Sequence, residues 1–548
     1  MSTPGKIVVV GGGLAGITAA IALRETGAEV TLIEARPRLG GATCSFSRGG
    51  LMVDNGQHVF LRCCVAYRGL LARLGMTGAV ALQDRFDVTV LAPGARAQLR
   101  RTALPGPLHM GRALLGYRFL SRAQRLRVGR AALAMAALDP AREDLDRQRL
   151  GDWLAAHGQD EQTRRLLWDL FTVSALNVGG DDANLALAAT VVKTALLGAR
   201  DAADIGVPAV PLGELHGQAA GALLARMGAQ VRLGAKAAAV EMLPEGPGGP
   251  GAPMRVRLAG RRGGDGPPGG AGDVLDADGV VLAVPPAVAA SLMPAAAGNV
   301  PAQPGPAQWR ELATSPIVNV HVIYDRRVTR LPFAAAVDSP VQWVFDRTSP
   351  SGLRSGQYLA VSLSAADAYV DVPAAVLRER FLPALADLFP AARDARITDF
   401  FVTRERRATL RQVPGCERLR PGPATAVPGL VLAGAWTDTG WPDTMEGAVR
   451  SGLNAVRMLR EGLAAAGGAG GPGAPARSLA AVPPGRQQDL GGTDLGGTDL
   501  DGTGLDGTGQ PGAVNGSGQV GRPGAVNGSG PVNGQGPARG AAGTGATA

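Results

Sequence analysis

Two groups of residues in this chain have types and spacings that could do chemistry. Gly11, Gly13 and Gly16 stand at G-x-G-x-x-G spacing, and Glu34 follows eighteen residues after Gly16. Glycine at the first position permits a tight turn, at the second lets backbone approach a pyrophosphate, and at the third lets a helix pack closely on a strand. The exposed N–H groups and the helix dipole then meet the phosphate charge. A carboxylate at Glu34 would accept from adenosine ribose hydroxyls and repel a 2′-phosphate, which argues against NADP. The second group is Asp54-Asn55-Gly56-Gln57-His58. Its carboxyl and imidazole are proton-transfer groups, although Asp and Asn in such a run satisfy a hairpin turn equally well.

These residues need elements to hold them. The β-branched run 7–10 stops at Gly11 and predicts a strand; residues 17–24 have helical period, and 29–33 predict a second strand ending in Glu34. Strand, turn, helix, strand and terminal acid in that order predict a dinucleotide fold. Residues 230–233 and 237–240 read as a strand pair, the Gly/Pro-rich insert 244–272 as a mobile hairpin extension, and 278–286 as a buried strand ending in prolines. Strand-like runs recur at 317–324, 341–345 and 358–363, with a helix over 374–388. Residues 151–158 and 164–177 read as helices presenting Trp153, Leu154, Leu166, Leu167, Trp168, Leu170 and Phe171, either as core or as walls of an apolar tunnel. A strand at 430–433, a turn at Gly434, a Trp/Pro loop and a helix from about Thr444 make a second strand-loop-helix. Its helix N-terminus would aim N–H groups at an anionic ring.

Composition narrows the classes. The chain of 548 residues suffices for two domains with sizeable cores. Its formal charge of +9 comes almost wholly from Arg, with Lys only at 6, 193 and 236, so the charge reflects compositional bias and does not argue for nucleic acid. Cys44, Cys63, Cys64 and Cys416 lack metal or redox spacing, and no metal is expected. Without a secretory leader or a long apolar run, a cytoplasmic location is expected. Residues 88–138 contain nine Arg and no acid, interleaved with leucines and aromatics. That mixture suits peripheral docking on an anionic bilayer, at the inner face of the cell membrane. From about residue 464 the chain turns into Gly-rich repeats with too little apolar bulk to offset ordering, which predicts a disordered tail over 464–548.

The segment Glu34-x-x-x-Arg38-x-Gly40-Gly41 resembles the continuation of the second strand in the flavin amine oxidase and phytoene desaturase superfamily, which favours FAD over NAD. Asp54-Asn-Gly-Gln-His58 and the stretch 429–452 resemble the corresponding motifs of the hydroxysqualene dehydroxylase family. The matching segments span 6 to about 460. The resemblance implies an α/β fold with a discontinuous Rossmann-like FAD-binding domain (1–85, 205–290 and 395–463) and an α+β substrate domain facing the membrane (86–204 and 291–394). It places Gly11, Gly13, Gly16, Glu34, Arg36, Arg38, Gly40, Gly41, Val240, Gly434 and Met445 at FAD, with the backbone of Val240 against the adenine. It puts the loop 54–58 near the isoalloxazine ring, where His58 or Asp54 would donate a proton, with Asp438 and Asp443 in reserve. Trp436 and Trp441 would lie on the flavin side, either stabilising positive charge or simply packing. Ala42 and Ala435 depart from the superfamily pattern, which usually has Arg and an acid there.

The activity implied is reduction of hydroxysqualene, a C30 isoprenoid, to squalene in squalene and hopanoid biosynthesis, with upstream enzymes of that route as partners. A carotenoid desaturase or isomerase is the alternative. A flavin amine oxidase is disfavoured because Lys193 is the single mid-chain Lys that could stand near the flavin, and a non-enzymatic lipid binder retaining FAD is less favoured still.

Overall fold

The computed structural model describes residues 5–243, 254–260, 273–294, 300 and 303–468. Most of the insert 244–272 and nearly all of the tail expected from 464 lie outside those residues.

The apolar run Ile7 to Val10 is almost wholly withdrawn from solvent, which requires cover on both faces of its strand. It forms β1 (Lys6–Val10), followed by α1 (Leu14–Glu25) and β2 (Glu29–Glu34). These begin a five-stranded parallel sheet in the order Gln230–Leu233, β2, β1, Gly279–Leu282, Leu430–Leu432. The strand read over 278–286 is interior, flanked by β1 and by Leu430–Leu432, in keeping with its apolar run. Residues 230–233 and 237–240 do not pair with each other. Gly234 N and Ala235 N donate to Arg36 O and Glu34 O, so the first strand runs beside β2, while Ala237–Met242 leaves for a three-stranded sheet with Met254–Leu258 and Val274–Ala277. The helix Met445–Gly468 crosses α1 closely enough that a side chain at Gly452 would meet Ala15 O.

A hairpin, β3 (Ser45–Arg48) and β4 (Leu51–Asp54), leads to α2 (Val65–Arg73). Beyond it stands a seven-stranded sheet in the order Ile397–Leu410, Thr314–Tyr324, Gln357–Leu363, Trp343–Asp346, Phe333–Ala336, Asp87–Ala92, Ala95–Arg100. Because Ile397–Leu410 belongs to this sheet, the boundary expected at 395 moves toward residue 410. One face, carrying Val318, Val320 and Val322, packs under the helix Ala374–Leu388. By the period of two, Asn319, His321 and Ile323 point to the opposite face. There Ile323 meets Val53, Tyr358 and Phe401. A helical layer holds Trp153, Leu154, Leu166, Leu167, Trp168 and Leu170 in a common core, so these residues are packing. Part of the basic segment, 88–100, is the sheet's edge hairpin.

Candidate FAD and substrate site

β1 leads into Gly11, whose φ of +108° is open to glycine, and a side chain there would run into Ala283 O. A Cβ at Gly16 would lie 1.9 Å from Gly11 O, so the helix and the turn touch directly. Gly13 differs: a Cβ there would meet nothing nearer than Gly41 Cα at 3.9 Å. No side chain caps α1 at Gly13. The turn thus leaves open space over uncapped helix amides, the cradle that a diphosphate fills. Gly40 N donates to Gly12 O at 2.8 Å, and Gly41, with φ +59°, lies against Gly13, which brings the second glycine pair to the first. Glu34 accepts from Gly12 N at 2.7 Å and Arg36 N at 2.8 Å, and both Arg36 and Arg38 reach Gly41 O at 3.3 Å. Val240, on the three-stranded sheet, is buried in one apolar cluster with Ile33 and Val10.

The second strand-loop-helix converges on this region. Leu430–Leu432 runs into Gly434, whose N–H donates to Ser451 Oγ at 2.8 Å. The loop that follows is fastened by buried Arg420, which donates to the carbonyls of Ala435 (3.0 Å), Thr437 (2.7 Å) and Trp441 (2.8 Å) and to Glu417 (2.7 Å). Burial raises the Glu417 carboxyl, opposed by this guanidinium. Met445 opens the final helix, and Thr444 Oγ1 accepts from Gly447 N at 3.2 Å as its cap. Buried Glu446 accepts from Ala66 N (3.2 Å) and Tyr67 N (2.8 Å), capping α2, and from Arg450 Nε (2.7 Å).

Several sequence assignments change here. Asp54 is the last residue of β4, not a loop residue, and is buried. Its oxygens accept from Arg347 (2.6 Å), Ser45 Oγ (2.6 Å) and Leu212 N (3.0 Å). With both oxygens occupied by donors, it fixes the turn as an acceptor. Trp436 is buried against Trp309, with Nε1 donating to Val284 O, and one face of the Trp441 ring lies under Arg450, so both rings are engaged in packing. Asp438 is exposed in its own turn, accepting from Gly440 N. Asp443 accepts from Leu410 N at 2.6 Å, and burial raises its carboxyl above the usual range.

His58 is enclosed by protein while part of its surface stays accessible. Burial lowers its pKa, opposed by the Gly56 carbonyl 3.2 Å from Nδ1. Behind the loop lies a polar group drawn from Asn55, beside β4, and from three strands of the seven-stranded sheet, Thr314–Tyr324, Gln357–Leu363 and Ile397–Leu410. Asn55 O accepts from Asn319 Nδ2 at 3.2 Å. Asn55 Nδ2 donates to Ala42 O (2.8 Å) and Glu405 (3.3 Å). His321 pairs with Thr403 Oγ1 (3.0 Å) and with the Tyr358 hydroxyl (2.7 Å), and burial lowers its pKa to about 3. His216, likewise pushed to about 3 by burial, pairs with the Tyr67 hydroxyl at 2.7 Å.

A parallel nucleotide sheet, an open glycine cradle with an acid at the end of β2, and a second helix start converging on it define a dinucleotide-binding fold, and the match to a flavin-containing oxidoreductase family makes that dinucleotide FAD. Residues 14–459 match the family described as flavin containing amine oxidoreductase, and the chain belongs to it. It is similar to the hydroxysqualene dehydroxylase of Rhodopseudomonas palustris, 31% identical over 464 residues, covering 82% of this chain and 97% of the relative. It is also similar to the zeta-carotene desaturase of Zea mays, 25% identical over 82% of each chain. The solved cyclohexylamine oxidase of Brevibacterium oxydans shares the fold, with a TM-score of 0.59 at 20% identity over 84% of this chain and 100% of that one.

Proposed function

We propose that this enzyme reduces hydroxysqualene to squalene and water, acting in squalene and hopanoid biosynthesis on alcohol delivered by an upstream enzyme of that route. The observation that carries this reading is the 31% identity across nearly the whole of a hydroxysqualene dehydroxylase, against 25% for the desaturase. When bound and reduced, FAD supplies hydride; Gly13, Glu34, Gly40, Gly41 and the start of the helix at Met445 would hold it. The chain's own residues must do the rest. Hydroxide is a poor leaving group, so a proton has to reach the substrate oxygen as the C–O bond breaks. His58 is the group placed to give it: Nδ1 faces Gly56 O, which leaves Nε2 for the substrate. The site must also exclude water, which would otherwise recapture the developing cation.

Incubation with hydroxysqualene plus a flavin reductant should yield squalene, while phytoene under oxidising conditions should remain unchanged; the opposite pattern favours the desaturase. His58→Ala protein that retains flavin is expected to lose about 10²–10⁴-fold in single-turnover oxidation by hydroxysqualene, the range for a positioned acid. Because burial lowers the His58 pKa, its protonated fraction grows as pH falls, and the wild-type rate should climb from neutral toward acid pH. A His58→Ala protein reacting at the wild-type rate would transfer the role to Asp443.

The substrate is lipid-soluble, and we place the enzyme peripherally on the inner face of the cell membrane. Among the described residues five of the six exposed leucines, Leu104, Leu108, Leu115, Leu126 and Leu133, lie in the acid-free segment and are 52–69% exposed. On the helix Arg122–Ala137, Arg122, Leu126, Arg130 and Leu133 share one face, which puts apolar and cationic groups together. Binding to vesicles containing anionic lipid should exceed binding to neutral ones and weaken with salt. Reversing Arg118, Arg122 and Arg130 to Glu should abolish the difference.

A further inference from the structure

His58 can serve as an acid only while it carries a proton, and burial works against that. The charges around the ring decide the outcome. Asp54 faces the imidazole, but its carboxylate is met by Arg347 at 2.6 Å, so this pair exerts little net field. His216 is neutral, pushed to about 3 by burial. Glu405 is the remaining charge that bears on His58 among the described residues. It stands in the strand Ile397–Leu410, where the period of two puts Phe401, Thr403 and Glu405 on one face. That row runs beneath the loop. Phe401 packs with Val53, Thr403 Oγ1 lies 3.5 Å from Asn55 O, and Glu405 Oε1 accepts from Asn55 Nδ2 at 3.3 Å. The flanking arginines face away, Arg404 donating to Val372 O and Arg406 pairing with Asp371. The Cys44 thiol, which also feels Glu405, is raised by burial and stays neutral. Glu405 is thus a half-buried carboxylate with no cation paired to it among the described residues, in a chain that holds 55 Lys and Arg.

We propose that Glu405 is a positioning residue that keeps a proton on His58 until the substrate arrives. Resting on the reading of His58 as the acid of a dehydroxylase, the proton passes from His58 to the substrate oxygen as the C–O bond breaks and departs with it as water. Glu405 changes no bond. Its negative charge favours the imidazolium over the neutral ring, opposing the cost of burial, and it acts more strongly where water is excluded. An arginine paired to Glu405 would cancel that field, as Arg347 does at Asp54.

The test is titration of His58 by NMR in oxidised, flavin-loaded protein labelled at histidine. The chain has five histidines, so the His58 resonance is the one lost in His58→Gln. Glu405→Gln, which keeps an acceptor for Asn55 and removes the charge, should lower the His58 pKa by about half a unit or more. Glu405→Asp, which keeps the charge, should stay close to wild type. An unchanged pKa in Glu405→Gln, or an equal fall in Glu405→Asp, overturns the assignment. In single turnovers of pre-reduced protein with hydroxysqualene, the rise in rate toward acid pH should move to lower pH in Glu405→Gln by the same amount; a profile that stays in place also overturns the proposal. If the pKa falls as expected while hydroxysqualene fails to oxidise the wild-type flavin, the dehydroxylation reading is overturned and the coupling of Glu405 to His58 stands.

Discussion

A Gly13→Val protein is expected to fold and to carry no flavin. The apo turn has room for the side chain, since a Cβ at Gly13 meets nothing closer than 3.9 Å, so the substitution falls on the ligand rather than on the fold. Gly16 makes the contrast: a side chain there strikes Gly11 O and should damage folding itself. Valine at Gly13 occupies the volume into which the diphosphate must come and holds it off the helix amides. Overpacking of this kind costs up to about 3 kcal/mol, or over a hundredfold in affinity, before the lost amide contacts are counted. Flavin absorbance per protein, read beside far-UV circular dichroism, checks it. Full flavin content in a folded Gly13→Val protein would sink the placement of the diphosphate.

Arg347→Leu should lower folding stability by about 3–5 kcal/mol, the usual result of removing one partner of a buried ion pair. The side chains of Arg347 and Asp54 are only 6% and 5% exposed, and Arg347 also donates to Pro208 O at 3.0 Å. The pair therefore ties together the end of β4, the turn leading to Leu212 and the strand Trp343–Asp346. Leucine leaves the carboxylate of Asp54 buried with two weaker donors. Urea unfolding should show a lower midpoint with an unchanged slope. The double variant Arg347→Leu/Asp54→Leu removes the stranded charge and should be more stable than Arg347→Leu alone. If the double change costs the sum of the two single ones, the pair is not acting as a unit.

What could be read from the sequence was what lies close along the chain. β1, the glycine turn, α1, β2 and Glu34 fall within thirty residues, and their spacing alone dictates a turn, a helix start and a carboxylate at the end of β2. The motif around Gly434 and Met445 was legible for the same reason. The partners that fix these motifs were not. Arg347 meets Asp54 across 293 positions, and Arg420 is one of many arginines in the chain, with nothing local to mark it as the clamp of the loop 435–441. Asn319 and His321 are hidden differently. They alternate with Val318, Val320 and Val322 in a strand that reads as core, and only the register against Ile397–Leu410 shows that the polar side lines the loop at His58. The error at 230–240 came from treating two adjacent strands as a pair when Gly234 and Ala235 bind back to the end of β2.

The parallel sheet also sets a timetable. Its strands come from positions 6–34, 230–233, 279–282 and 430–432, so the ribosome delivers the last of them long after the first. At about 5–20 residues per second, roughly 20–90 s separate the emergence of β1 from that of Leu430–Leu432. During that interval β1 can pair with β2 but lacks the neighbour Gly279–Leu282, and then that strand waits in turn with an open edge. Non-local strand pairing of this kind folds slowly and exposes unpaired edges to other chains. The chain's nascent form is accordingly its most aggregation-prone, and FAD supplied during synthesis should raise soluble yield only once translation has passed the final strand.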